Sequence, residues 1–181
     1  MRKTYRCRLA GFSLAELLLA MGVLAVLATL ALPSMAAMVR RAQLDTTVND
    51  FYSGLMLARA EAVKRGRRVS LCPGAADGAA CDASAGWAAG FMVFADDNDN
   101  GQRDAGEDIV RVAPASRRPD LRTWSTAPLS AGISYIGTGE TRALNGALQM
   151  GTVTFCLHDE GRRVVINSTG RPRLEQAGQG C

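Results

Sequence analysis

Three patterns of apolar and polar positions follow one another along the chain. The first is a continuous apolar run: from Leu17 to Leu32 there is no charge, and Thr29 is the only polar side chain. With Phe12–Glu16 and Ser34–Val39 at its ends it is long enough to span a bilayer, which takes about 20 apolar residues. A single span must pair its own backbone groups, so the run predicts a helix. Pro33 removes one helical hydrogen bond and predicts a kink or local melting there. The second pattern is periodic. Leu44, Val48, Phe51, Leu55, Ala58 and Ala62 recur in steps of four and three, one apolar face of an amphipathic helix, with Arg41, Asp45, Asn49, Arg59 and Lys64 left for solvent. Gly54 weakens this helix relative to Ala by up to about 1 kcal/mol, and Gly66 after Lys64-Arg65 is a stop signal. The third pattern is short and β-rich. Val69–Cys72, Trp87–Ala95, Ile109–Val112, Leu121–Ser125, Ile133–Ile136, Gly151–Leu157, Arg163–Asn167 and Arg171–Leu174 are strand candidates, punctuated by Gly and Pro. The expectation is an α+β protein: a long N-terminal hydrophobic helix, then an antiparallel β-rich head.

Charge gives the apolar run a direction. Arg2, Lys3, Arg6 and Arg8 precede it without an acid among them. Basic flanks stay cytoplasmic, which places everything after Val39 on the outer side of the membrane. Two details separate the run from an ordinary signal peptide. Glu16 puts a carboxylate at its start, where a charge is costly and marks function. The small-residue junction Gly11-Phe12 lies before the apolar core instead of after it.

These residues, G-F-S-L-A-E-L, resemble the class III leader of type IV pilins and pseudopilins. That resemblance implies cleavage after Gly11 by a prepilin peptidase and methylation of the new N-terminus at Phe12. Counted from Phe12, Glu16 is the fifth residue and Pro33 the twenty-second, the spacing this superfamily shows. It further implies that Glu16 meets the free amine of a neighbouring subunit when the helices bundle with other major and minor pilins, since a buried charge is tolerated when paired. The chain then divides into a leader over 1–11, a membrane and filament-core helix over 12–39, an amphipathic helix over 40–65 and a head over 66–181. A-R-A-E-A-V-K-R-G, V-S-L-C and G-W-A-A-G-F-M-V-F-A-D-D-N-D-N-G resemble the GspH/FimT branch, that of minor pilins and minor pseudopilins.

The formal charge of +4 resides wholly in the leader, and the chain after Gly11 carries 17 residues of each sign. Affinity for a polyanion must therefore come from a local patch. Of five cysteines, Cys7 lies in the leader. Cys72, Cys81, Cys156 and Cys181 fall on the oxidising side of the membrane, which favours two disulfides over a metal site. Three pairings are open. The expectation is Cys72–Cys81 around a short Gly/Ala-rich loop and Cys156–Cys181 at the C-terminus. With His158 the sole histidine, set in a turn-like His-Asp-Glu-Gly, no catalytic constellation stands out and no enzyme is expected.

Two clusters carry chemistry. Asp96, Asn98, Asn100, Gly101, Asp104 and Glu107 have the spacing of an EF-hand-type calcium loop. The flanks read as strands, however, two early ligands are neutral, and Asp/Asn/Gly clusters are ordinary turn chemistry. The expectation is a solvated turn and no cofactor, with calcium held by Asp96, Asn98, Asn100, Asp104 and Glu107 as the alternative. The second cluster is I-N-S-T-G-R-P-R-L. Thr169-Gly170 turns the chain, and residues two apart on a strand share a face, so Arg171 and Arg173 project together. Guanidinium forks suit phosphate, and Arg162 and Arg163 on the preceding strand are expected to extend the patch. Gly170, Arg171 and Arg173 resemble the G-R-x-R motif of FimT-type minor pilins, which implies weak, sequence-independent DNA binding during natural transformation. The competing expectation is a structural minor pseudopilin of GspH type, in a type II secretion system, or a pilus-priming subunit without a ligand.

Overall fold

The structure, a computed structural model, describes residues 13–74, 80–177 and 181, without the side chains of residues 30–33. Gly11 and Phe12, the residues of the cleavage junction, lie outside the described residues. One helix, α1 (Leu14–Arg65), carries both N-terminal patterns. It is assigned as helix throughout, including position 33, so the local melting expected there does not occur. The Leu/Ala-rich flanks are strong helix formers and outweigh one lost hydrogen bond. Its first turn holds Glu16, and its last turn holds Lys64 and Arg65. Gly66, at φ 67°, stops it in the left-handed conformation that closes helices. Its amide donates to the carbonyl of Ala62 at 2.9 Å.

The chain divides into two compact units, with the boundary between Arg40 and Arg41. In the first, Leu14, Leu17, Leu18, Leu19, Met21, Val23, Leu24, Val26 and Leu27 are all exposed. Among the described residues α1 is the one helix long and apolar enough to cross a membrane.

The second unit is built on two antiparallel four-stranded sheets. One runs in the order β3 (Ile109–Ala113), β2 (Phe91–Ala95), β1 (Val69–Pro73), β5 (Ile133–Tyr135). The other runs β4 (Arg122–Ser125), β6 (Gly151–Leu157), β7 (Glu160–Ile166), β8 (Pro172–Gln176). Each strand alternates its side chains, and one face of each sheet meets the apolar face of α1. Leu44, Val48, Phe51, Leu55, Ala58 and Ala62 join Val69, Leu71, Phe91, Val93, Ile133 and Tyr135 of the first sheet and Val153, Phe155, Val164 and Ile166 of the second in one core. The ring of Phe51 lies 4.9 Å from Trp87, 5.7 Å from Phe91 and 5.3 Å from Phe155. Gly54 has a role that helix propensity conceals. The Phe91 ring lies where a Cβ of residue 54 would stand, so the missing side chain lets β2 approach the helix.

Disulfides join Cys72 to Cys81 and Cys156 to Cys181. The first lies on the opposite face of its sheet, where Cys72, Met92 and Phe94 form a second small apolar cluster with Cys81. The second fastens the C-terminal residue to β6.

Candidate nucleic-acid interface

The last two strands form a hairpin, and its turn is tightly held. The Asn167 side-chain oxygen accepts the amide of Arg171 at 2.9 Å and the Thr169 hydroxyl at 2.8 Å. The Asn167 carbonyl accepts the amide of Gly170 at 2.9 Å and the Thr141 hydroxyl at 3.3 Å. Gly170 has φ 72°, and a Cβ there would overlap the Gly139 carbonyl oxygen and lie 3.0 Å from Cε1 of Tyr135. The turn is thus seated on the 139–141 segment and on a fully buried tyrosine. Pro172 opens β8, at the edge of the sheet, where its missing N–H costs no ladder bond. It faces the core and is buried between exposed Arg171 and Arg173.

Register decides which arginines share a face. Arg163 stands opposite Glu175 and Val165 opposite Arg173, so Arg163, Arg173 and Glu175 lie together on the outer face. Arg171 alternates onto the same side. Arg173 donates from Nε to Glu175 at 2.7 Å, with both side chains well exposed. Such a surface pair is worth about 0–1 kcal/mol, so Arg173 is readily released to another anion. Arg163 donates to the Gln176 carbonyl at 3.3 Å, and its Nε is buried without a partner among the described residues. Arg162 corrects the expectation. Adjacent strand residues point to opposite faces, so Arg162 lies on the helix side, where it pairs with Asp45 of α1 at 2.8 Å. It ties β7 to the helix and is not part of the arginine patch.

The sequence reading missed two residues of this face. Trp124 stands opposite Thr154, and Thr154 opposite Arg163; Arg122 lies two residues along the same side of β4. Trp124 is 48 % exposed and Arg122 is exposed. The alternation Leu121-Arg122-Thr123-Trp124 carried the signal, since Leu121 is the buried member. Nearby, the Arg118 side chain, bonded to both oxygens of Asp120 at 2.9 and 2.6 Å, holds that carboxyl below the usual carboxylate range. His158, at φ 57° in the β6–β7 turn, adds a longer contact to Asp120 at 3.4 Å.

The loop from Asp96 to Glu107 is closed by its own backbone. Asp96 is buried and accepts the amides of Asn100 and Gly101 and the Ser70 hydroxyl, at 3.0, 3.1 and 2.7 Å. Burial raises its pKa, against the opposing pull of these bonds. Glu107 accepts the amides of Asp97 and Asp104, both at 2.8 Å. The amide oxygens of Asn98 and Asn100 accept backbone N–H groups at 3.2 and 2.7 Å, while their NH2 groups donate to Asp104 at 2.7 and 2.6 Å and hold its carboxyl ionised to lower pH. Arg68 pins the loop through Asp99 at 2.7 Å. The side chains that the calcium spacing brings together make these turn hydrogen bonds in the described structure.

Comparison with known proteins places this architecture. A family model described as type II transport protein GspH matches residues 47–170. The chain belongs to the GspH family. A curated relative, the pilin-like protein PilA1 of Thermus thermophilus, is 28 % identical over 169 residues, covering 91 % of this chain and 97 % of that one. Two solved structures share the fold. The type IV minor pilin FimU of Pseudomonas aeruginosa superposes with TM-score 0.58 at 19 % identity, over 78 % of this chain and 98 % of that one. The minor pseudopilin EpsH of the Vibrio cholerae type 2 secretion system gives 0.51 at 17 %, over 76 % and 99 %. Family and fold are those of structural pilins, and the exposed apolar helix fits a membrane-anchored member. The family match ends at Gly170, immediately before the paired arginines.

Proposed function

We propose that this GspH-family protein is a minor type IV pilin that takes up DNA. It is cleaved after Gly11 by a prepilin peptidase, held in the inner membrane by the apolar part of α1 with its head in the periplasm, and then assembled among other major and minor pilins. In the filament Glu16 pairs with the amine of Phe12 on a neighbouring subunit and sets the register. The head performs no catalysis. It contacts extracellular DNA weakly and without sequence preference, and copies along a pilus raise the avidity. The observation that carries this reading is the C-terminal hairpin: two exposed guanidinium groups, spaced by a buried proline, on a turn fixed by Asn167 and Gly170.

Arg163, Arg171 and Arg173 offer about three phosphate contacts, so affinity of the full chain in nonionic detergent for duplex DNA should fall with salt at a slope of roughly −3. In an Arg171→Ala/Arg173→Ala variant the slope should drop to about −1 and binding should weaken at every salt concentration, with the melting temperature unchanged because both side chains are exposed. No binding by the parent at low salt would move the reading to a structural pseudopilin of a type II secretion system, which the family description favours. Processing is tested separately. Gly11→Asp should leave the precursor at full length and out of filaments, and a normally shortened, assembled product would defeat the leader assignment.

A further inference from the structure

The outer face of the β4-β6-β7-β8 sheet holds more than the hairpin arginines. Arg122, Arg163, Arg171 and Arg173 lie on it with Glu175 as the acid among them. Trp124 stands in the same row, separated from Arg163 by Thr154 alone, about 10 Å away at ordinary strand spacing. Almost half of an indole is thereby open to solvent on a basic surface, while the other tryptophan, Trp87, is buried and donates its N–H to the Leu129 carbonyl at 3.1 Å. Beside Trp124 is a cleft of about 370 Å³, bounded by Arg122, Asp120, His158 and the Cys156–Cys181 disulfide. Neither the Trp124 N–H nor the Arg122 guanidinium meets a hydrogen-bond partner among the described residues.

Phosphate contact alone gives no reason for an exposed indole in line with guanidinium groups. Binding of unpaired bases does, because every base has a face that stacks on an aromatic ring while a basic track holds the backbone. In a duplex those faces are covered by neighbouring bases. We propose, building on the DNA-uptake reading above, that this sheet face takes single-stranded DNA, with a base stacked on Trp124 in the cleft and the backbone led across Arg163 to Arg173 and Arg171. The occupant is fixed by charge complementarity and by the indole together.

The test uses the full chain in nonionic detergent, a thymidine oligonucleotide and a duplex of equal length, read by fluorescence anisotropy and by quenching of tryptophan emission. With Trp87 buried, quenching reports on Trp124. The parent should bind the single strand more tightly than the duplex, with quenching. Trp124→Ala should weaken single-strand binding by about fivefold to 100-fold, abolish the quenching and leave duplex affinity unchanged, while Trp124→Phe retains most of the single-strand affinity. Unchanged melting behaviour establishes that the exposed position was altered without loss of fold. Equal single-strand affinity in the parent and Trp124→Ala overturns the stacking site. If Arg171→Ala/Arg173→Ala still weakens duplex binding in that case, the DNA-uptake reading survives it. If the parent binds neither nucleic acid at low salt, both fail.

Discussion

Truncating Phe51 to alanine should destabilise the head by about 3–5 kcal/mol, the range for a large aromatic removed from a packed core. The expectation rests on where the ring sits. Phe51 is 1 % exposed, and it is the helix residue that touches aromatic rings from both halves of the head, Phe91 of the first sheet and Phe155 of the second. Trp87 closes the same cluster from a short 3₁₀ turn, edge-on at 4.9 Å. A void there removes contacts from three directions, and two sheets braced by separate hydrogen-bond ladders cannot both collapse into it. Phe51→Leu keeps most of the apolar volume and should cost less, about 1.5 kcal/mol or under. Met56→Ala, at a position 42 % exposed on the same helix, should stay within about 0.5 kcal/mol. Denaturant titration of the three variants ranks them. A Phe51→Ala midpoint matching that of Met56→Ala would show that the helix is not the brace of the head.

The helix half of this fold was legible because its signal is local. The spacing of Leu44, Val48, Phe51, Leu55, Ala58 and Ala62 names the buried face directly, and all six residues lie in the core. Strands were legible as elements but less so at their ends. Trp87 reads as part of a strand, yet Trp87–Ala89 is a 3₁₀ turn and β2 begins at Phe91. Gly90, at φ 94°, breaks the extended run between them. At the other hairpin, His158 takes a left-handed φ, so the turn is tighter than the four residues His-Asp-Glu-Gly imply, and β7 starts at Glu160. Sheet order was not legible, because it depends on contacts between strands far apart in the chain: β1 pairs with both β2 and β5, and β4 pairs with β6.

The candidate interface divides along the same line. Arg171 and Arg173 are two apart in sequence, and period two suffices to put them together. Arg162 and Arg163 are adjacent, so one of them had to face the helix, and only the register against β8 says which. Trp124 and Arg122 lie two strands away from the hairpin turn and join the face only through β6. Gly54 shows the opposite failure: a weak residue by helix propensity, it is required by the ring of Phe91 across the core.

Gly170→Ala should damage both the fold and the interface without removing a charge. The left-handed φ of 72° costs a residue with a Cβ about 1–2 kcal/mol. The new methyl also has nowhere to go. It would overlap the Gly139 carbonyl oxygen and crowd Tyr135 Cε1 and the Thr141 amide, at 3.0 and 3.2 Å. Forcing such an overlap costs about another 1–3 kcal/mol. Relief is hard to find, since Tyr135 is fully buried and Thr141 is tied to the carbonyls of Gln149 and Asn167. The turn must therefore lift, taking Arg171 with it and loosening the Asn167 bonds that fix its backbone. The expected result is a melting temperature lowered by several degrees and weaker DNA binding with all arginines present, in contrast to Arg171→Ala/Arg173→Ala, which weakens binding and keeps its stability. Gly170→Asn separates the two causes. Asparagine accepts the left-handed conformation more readily than alanine but carries the same Cβ, so it should rescue little if overlap dominates. A Gly170→Asn protein that melts and binds like the parent would assign the glycine to backbone conformation alone, and the seat formed by Gly139 and Tyr135 would then have no part in placing the arginines.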